Sequence, residues 1–104
     1  MGFVFADETG IKSRPALVIS ADKYHAGRQE VIIAAITSNV KRVLLGDHIV
    51  SQWQESGLLH PSVVTGVIRT VKQPMVQRRL GTMTVNDMQN VDTNLSTVLG
   101  LQQG

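Results

Sequence analysis

Cysteine is absent from the 104-residue chain, which excludes disulfide bonds and thiolate metal sites. Long apolar runs are also absent, since none approaches the roughly 18 residues typical of a membrane-spanning helix. The first ten residues, MGFVFADETG, lack the basic and apolar regions of a secretory signal peptide. Together these absences predict a cytoplasmic protein with no membrane partner.

Several common catalytic signatures are missing as well. The chain has no glycine-rich phosphate loop, nucleophile elbow or Walker lysine. Its histidines, His25, His48 and His60, are not spaced as metal ligands with one another or with glutamate. Each could act as a general acid or base, or be an ordinary surface histidine beside a turn. The sequence therefore predicts neither a metal nor a cofactor.

What is present is the composition of one small globular domain, covering residues 1–104, with 42% hydrophobic and 17% charged residues. The net charge is only +2, but all ten basic residues precede residue 84, and the segment after it contains two aspartates. A mildly basic body permits a polyanionic partner. The same charges would equally serve solubility.

The hydrophobic pattern predicts short strands followed by one helix. Strands are expected at residues 3–5, 16–20, 31–36, 48–50 and 62–71, with a last one within 75–83 and a bulge at Gly66. Apolar residues then recur at helical spacing: Val85, Met88, Val91, Leu95, Val98 and Leu99. Thr84 can cap this helix with Asp87 as a capping-box partner, and Gly100 can end it. The pattern indicates an α+β fold, a small curled antiparallel sheet or barrel covered by a helix.

Polar residues stand at the ends of two strands in this pattern. In KSRPALVIS, Pro15 holds Arg14 in extended backbone just before an apolar run. In VIIAAITSN, Thr37 and Ser38 follow a wholly apolar strand. Arg14 could be a bidentate clamp for a phosphate or could pair with Asp7 or Glu8. The two hydroxyls could be preorganised donors or merely mark a strand exit.

The basic pairs Lys41-Arg42 and Arg78-Arg79 leave similar alternatives open. They could follow a nucleic-acid backbone or simply be solvated. Trp53 and Tyr24 could stack on bases, although a lone tryptophan is as readily a core anchor.

Taken in order, these segments resemble the MazF/PemK family of toxin–antitoxin endoribonucleases over nearly the whole chain. KSRPALVIS resembles the family's Arg-Pro-Ala-Leu-Val signature, and VIIAAITSN resembles its strand ending in Thr-Ser. GLLHPSVV, IRTVK, RRLG and a final helix closing on LGL follow at matching positions.

This resemblance implies a PemK-like fold, a small SH3-like barrel. It implies a homodimer that cleaves single-stranded RNA, usually mRNA at short motifs, without metal, through attack of the ribose 2′-OH on the adjacent phosphate. By position, Arg14 and Thr37 match the family's catalytic residues and Ser38 the adjacent hydroxyl. The loop from Asp7 to Ser13, with Glu8 and Lys12, would border the RNA groove. A cognate antitoxin is the further partner that the family implies.

Departures from the family pattern lead to further expectations. The N-terminal strand is shortened, which would leave unpaired backbone beside a neighbouring strand, so either the native chain starts earlier or a partner chain completes the edge. The segment VVTGV offers no carboxylate where some relatives carry one, so the general base is unassigned among Asp7, Glu8 and the histidines. The alternatives are a degenerate toxin, a structural subunit, or a non-catalytic small-barrel module that binds a peptide or a gyrase-like partner.

Overall fold

The computed structural model describes residues 2–7, 14–76 and 78–101. Within these ranges six strands form one sheet: β1 Phe3–Asp7, β2 Arg14–Val18, β3 Glu30–Thr37, β4 His48–Ile49, β5 Val63–Lys72 and β6 Arg78–Thr82. Two α-helices accompany them, α1 Asp22–Ala26 and α2 Val85–Leu99, with a 3₁₀ turn at Gln73–Met75. α1 lies between β2 and β3. No helix in these ranges is long and apolar enough to cross a membrane.

The strands lie in the order β4-β5-β3-β2-β1-β6, and every neighbouring pair is antiparallel. Two register irregularities, at Val4/Phe5 and at Ala34/Ile36, curl the sheet into a half-barrel. The second lies opposite Gly66, where the sequence predicts a bulge. The predicted small antiparallel barrel with a C-terminal helix is confirmed.

The short N-terminal strand is not the open edge that the sequence suggests. β1 pairs with β2 on one side and with β6 on the other, and the Gly2 N–H donates to the Val18 carbonyl at 2.9 Å. The expectation of unpaired backbone beside this strand is therefore wrong, because β6 returns from the far end of the chain to cover it. Within the described residues β1 leaves no gap for a partner chain to complete.

Apolar side chains are buried on both faces of the sheet. The face beneath α2 holds the larger cluster, comprising Val4, Leu17, Ala34, Ile36, Val50, Leu58, Val64, Met83 and Val91. The opposite face holds a smaller cluster of Ala16, Val18, Val31, Ile33 and Val71, flanked by Phe3 and Phe5. Strands buried on both faces explain the continuous apolar runs of β2 and β3.

The C-terminal helix α2 covers the larger cluster with a narrower stripe than its sequence predicts. Met88, Val91 and Leu95 pack on the core, whereas Val85 and Leu99 are exposed. The predicted cap is confirmed, since Thr84 Oγ1 accepts from the Asp87 N–H. Gly100 ends the helix in the left-handed region at φ 69°, where glycine carries no Cβ penalty.

Asp87 does more than assist this cap. Its carboxylate is fully buried, and Oδ1 accepts from His48 Nε2 at 2.7 Å and from the Ser51 N–H and Oγ, each at 2.9 Å. Oδ2 accepts from the Gln52 N–H at 3.0 Å and from Thr84 Oγ1 at 3.2 Å. One carboxylate thus ties the first turn of α2 to β4 and to the segment that follows it.

The hydrogen bonds decide the charge of this group. Burial raises the pKa of Asp87, but the Ser51 N–H, His48, the Gln52 N–H and the Ser51 hydroxyl together lower it to about 2. The unfolded carboxyl titrates near 3.8. The resulting stabilisation, about 2 kcal/mol, is therefore fully present above pH 4 and is lost as the pH falls from 4 to 2.

Replacing Asp87 with asparagine should lower the free energy of unfolding at pH 7 by about 2–4 kcal/mol, because an amide cannot accept from all of these donors. It should also remove most of the loss of stability between pH 4 and 2. Asp92→Asn, on an exposed position of the same helix, is the matched control and should change little. Urea unfolding at several pH values measures both effects. An equal decrease in the free energy of unfolding in the two variants would contradict the role assigned to Asp87.

Candidate active site

A cleft of about 510 Å³ opens at the end of the sheet where β2 begins and β3 ends. Its floor is apolar, formed by Ala6, Pro15, Ile36, Leu58 and Leu80. Around this floor stand the polar residues Arg14, Thr37, Ser38, His60, Ser62 and Arg78. The cleft thus combines a continuous apolar floor with cationic and hydroxyl groups, an arrangement suited to a ligand that is both anionic and partly flat.

The pairing of β2 with β3 places the two predicted catalytic residues together. Val18 lies opposite Ile33 and Ala16 lies opposite Ala35. Arg14 begins β2 and Thr37 ends β3, so the antiparallel pairing brings both residues to the same end of the sheet, where both line the cleft. A phosphate bound in this cleft would therefore lie near both side chains.

Exposure agrees with this placement. Arg14 and Ser38 are exposed and Thr37 is half-buried. The predicted groups therefore lie at the rim of the cleft, where they remain accessible to a ligand.

A local turn fixes the Thr37 hydroxyl. Its oxygen accepts from the Asn39 N–H at 3.1 Å, which leaves the hydroxyl hydrogen to be donated outward. The Asn39 side chain in turn accepts from the Lys41 N–H at 3.3 Å, and the Val40 N–H donates to the Ser38 carbonyl at 3.0 Å. Side-chain bonds of this type hold strand exits in one conformation, so Thr37 is a preorganised donor.

The far wall of the cleft, residues 57–62, is held against β6 by close backbone contact. A Cβ added at Gly57 would overlap the Leu80 carbonyl oxygen, and one added at Gly81 would overlap the Ser56 carbonyl oxygen. Gly57 also has a φ of +87°, a conformation that favours glycine. Ser62 is buried and donates to the His60 carbonyl at 2.7 Å, which fixes the course of the wall.

The three histidines, indistinguishable in the sequence, lie in three different environments. His48 is bonded to Asp87, as described above. His25 contacts Ser20 Oγ at 2.5 Å and borders a hollow on the opposite face, beside Phe3 and Phe5. His60 is exposed and lines the cleft with Arg14 and Thr37. Its place depends on the path of the segment between β4 and β5, which no local pattern gives.

The remaining site predictions meet the structure only in part. Glu8, Lys12 and Ser13, predicted to border an RNA groove, lie outside the described residues, as does the side chain of Asp7. Arg78, which the sequence offers only as half of a basic pair, joins the cleft rim. Within the described ranges no group of three or more His, Asp or Glu side chains could hold a metal ion.

These features define a small antiparallel half-barrel with a cleft at its strand ends that is lined by arginine, histidine and hydroxyl side chains. The family model described as a PemK-like, MazF-like toxin of a type II toxin-antitoxin system matches residues 4–99. The chain belongs to this family.

Characterised relatives agree with this assignment. The chain is 35% identical over 92 residues to Endoribonuclease MazF6 of Mycobacterium tuberculosis (strain ATCC 25618 / H37Rv), covering 86% of this chain and 81% of the relative. Endoribonuclease MazF2 of Mycobacterium bovis is similar to the same extent.

Solved structures share the fold. The M. tuberculosis toxin MazF-mt6 superposes with a TM-score of 0.81 at 22% identity, covering 99% of this chain and 100% of that one. A mycobacterial endoribonuclease in complex with its cognate antitoxin gives 0.83 at 23% identity, covering 99% and 96%. A MazE-MazF structure from Deinococcus radiodurans gives 0.74 at 19% identity, covering 95% and 91%.

Proposed function

We propose that this chain is an endoribonuclease toxin that cleaves single-stranded RNA in the cytoplasm at short sequence motifs. The observation that carries the proposal is that Arg14 and Thr37 line the same open cleft. Membership of the family and the endoribonuclease names of the curated relatives support it.

The proposed reaction is an internal transesterification. The ribose 2′-oxygen loses its proton and attacks the adjacent phosphorus, the 5′-oxygen of the next nucleotide leaves with a proton, and a 2′,3′-cyclic phosphate remains. Negative charge grows on the non-bridging oxygens in the transition state. Arg14 neutralises that charge through its guanidinium, and Thr37 donates a hydrogen bond to the same phosphate. No step of this scheme requires a metal.

Proton transfer falls to His60 in this proposal. The other two histidines are engaged elsewhere, by Asp87 and by Ser20. Imidazole is the side chain that ordinarily exchanges protons near neutral pH. Among the residues that the structure describes, the charged ones that line the cleft with His60 are Arg14 and Arg78. His60 would accept the 2′-hydroxyl proton or supply the proton of the leaving oxygen.

We further propose, from the family, that the toxin is a homodimer held inactive by a cognate antitoxin. Structural neighbours include a MazE-MazF assembly and an endoribonuclease bound to its antitoxin. A disordered acidic segment would be attracted to the basic rim of the cleft. Ser38, Glu8, Lys12 and Ser13 are proposed to contact the RNA backbone beside the scissile phosphate.

Arg14→Ala and Thr37→Ala should each lower the rate of RNA cleavage by about 10²–10³-fold and abolish growth inhibition, because each removes a donor to the transition state. Thr37→Ser keeps the hydroxyl and should retain most of the activity. Cleavage of a long mixed-sequence RNA in EDTA, followed by sequencing of the ends, provides the measurement. Thermal unfolding at the wild-type temperature would show that the variants remain folded.

Discrete wild-type fragments ending in cyclic phosphate would support the enzyme. Intact RNA with tight binding would instead favour a non-catalytic binding module. Undiminished cleavage by both alanine variants would refute the assignment of the two residues.

His60→Asn should lower kcat/KM by about 10²–10⁴-fold near neutral pH, the usual contribution of a general acid or base. His25→Gln, at the hollow beside Phe3 and Phe5, should keep the wild-type rate. A His60→Asn variant that cleaves RNA at the wild-type rate would contradict the role assigned to His60.

A further inference from the structure

Two adjacent arginines, Arg78 and Arg79, lie on opposite faces of β6. The Arg79 guanidinium stacks over the Phe3 ring at 3.8 Å from its centre and donates to Thr82 Oγ1 at 2.7 Å. It is therefore engaged on the face that carries the smaller apolar cluster. Arg78 pairs with Ala6 across the strands, and both residues line the cleft, which opens at the strand ends and also takes in Arg14 and Thr37. By strand alternation, Arg14 and Thr37 project from the same face as Arg79, and they reach this cleft at the ends of their strands. Of the two arginines of the basic pair, Arg78 is the one that lines the cleft.

The sheet sets the spacing between Arg78 and Arg14. β1 separates β6 from β2, and adjacent strands are about 4.8 Å apart, so the two arginine backbones are about 10 Å from each other. Arg14 and Thr37 lie at the adjoining ends of β2 and β3 and line the same cleft. Arg78 therefore lies to one side of Arg14 and Thr37, in the direction that runs across the sheet from β2 to β6.

We propose that Arg78 binds the phosphate next to the scissile one, so that the RNA backbone runs across the strand ends from β3 towards β6. The identity of the scissile phosphate rests on the proposed function. The apolar floor between the two arginines, Ala6 and Pro15, lies beneath the intervening nucleoside. Guanidinium is suited to this contact because its planar fork binds a phosphate bidentately.

Affinity for a non-cleavable RNA tests the contact separately from catalysis. A mixed-sequence oligonucleotide with 2′-O-methyl groups throughout lacks the nucleophile, and its binding can be followed by fluorescence anisotropy across a salt series. Arg78→Gln should weaken binding about tenfold and lower the slope of log K against log salt by about 0.7, the value of one phosphate contact on a single strand.

Arg79→Gln is the matched control, since it removes the same charge one residue away. It should keep the affinity and the salt slope of wild type, although its unfolding temperature should fall. Arg78→Lys should recover the slope and part of the affinity. Equal weakening by the two glutamine variants would overturn the proposal, because it would report net charge rather than a contact in the cleft.

Neutral linkages identify which phosphate is bound. Methylphosphonate is placed on the 5′ or the 3′ side of a mapped cleavage site, in a strand with a 2′-deoxy group at the scissile nucleotide. At one of the two positions, combining the neutral linkage with Arg78→Gln should lower the binding affinity no further than either change does alone. If the affinity losses from the neutral linkage and from Arg78→Gln add up at both positions, the assignment is overturned.

Failure of this inference can be separated from failure of the proposed function. A wild-type protein that cleaves RNA, with Arg78→Gln binding as wild type does, would reject the contact and leave the nuclease intact. A wild-type protein that cleaves no RNA, but whose binding falls in Arg78→Gln and not in Arg79→Gln, would reject the nuclease and leave the contact.

Discussion

The antiparallel pairing of β2 with β3 is the constraint on which the candidate site depends. Leu17 and Ala34, opposite one another, are fully buried beneath α2, while their neighbours Ala16 and Val18 are buried on the other face. A slip of one residue would exchange the two faces of a whole strand and place the side chains of one cluster in the space of the other. The packing that sets this register, at a distance from the cleft, also brings the ends of β2 and β3, with Arg14 and Thr37, to the same cleft.

The opposite wall of the cleft is positioned by different forces. Asp87 fixes the start of the segment after β4 through hydrogen bonds to a buried charge, and Gly57 and Gly81 bring its end against the backbone of β6. Both arrangements are sensitive to substitution. The buried carboxylate requires its hydrogen-bond donors, and the close backbone contacts leave no space for a Cβ atom. His60 follows directly after this segment and owes its place to both.

The sequence predicts the features of the fold that arise from local pattern. Continuous apolar runs mark β2 and β3, helical spacing with Thr84 and Gly100 marks α2, and Pro15 marks the start of a strand. Local pattern also marks Arg14 and Thr37 as polar residues at strand ends, but their assignment to one site came from the family resemblance.

Other features depend on contacts between distant segments, and local pattern cannot supply them. Arg78 and Arg79 look alike in sequence, and only the irregular β1–β6 register assigns one to each face. Asp87 reads as a simple capping residue because its partners Ser51 and Gln52 lie 35 or more residues away. His60 is distinguished from the other histidines only by the path of the chain after β4. The expectation of unpaired backbone beside the short N-terminal strand was wrong for the same reason, since the second neighbour of β1 is β6, which lies more than 70 residues later in the sequence.

The central claim is that Arg14 and Thr37 converge on one phosphate. A crystal structure of the protein with a short RNA carrying a 2′-deoxy group at a mapped cleavage site tests it most directly. The account predicts a single phosphate within hydrogen-bonding distance of both the Arg14 guanidinium and Thr37 Oγ1, with the linkage to be cut at that phosphorus. Contacts of the two residues to different phosphates, or RNA bound away from the β2–β3 rim, would contradict it.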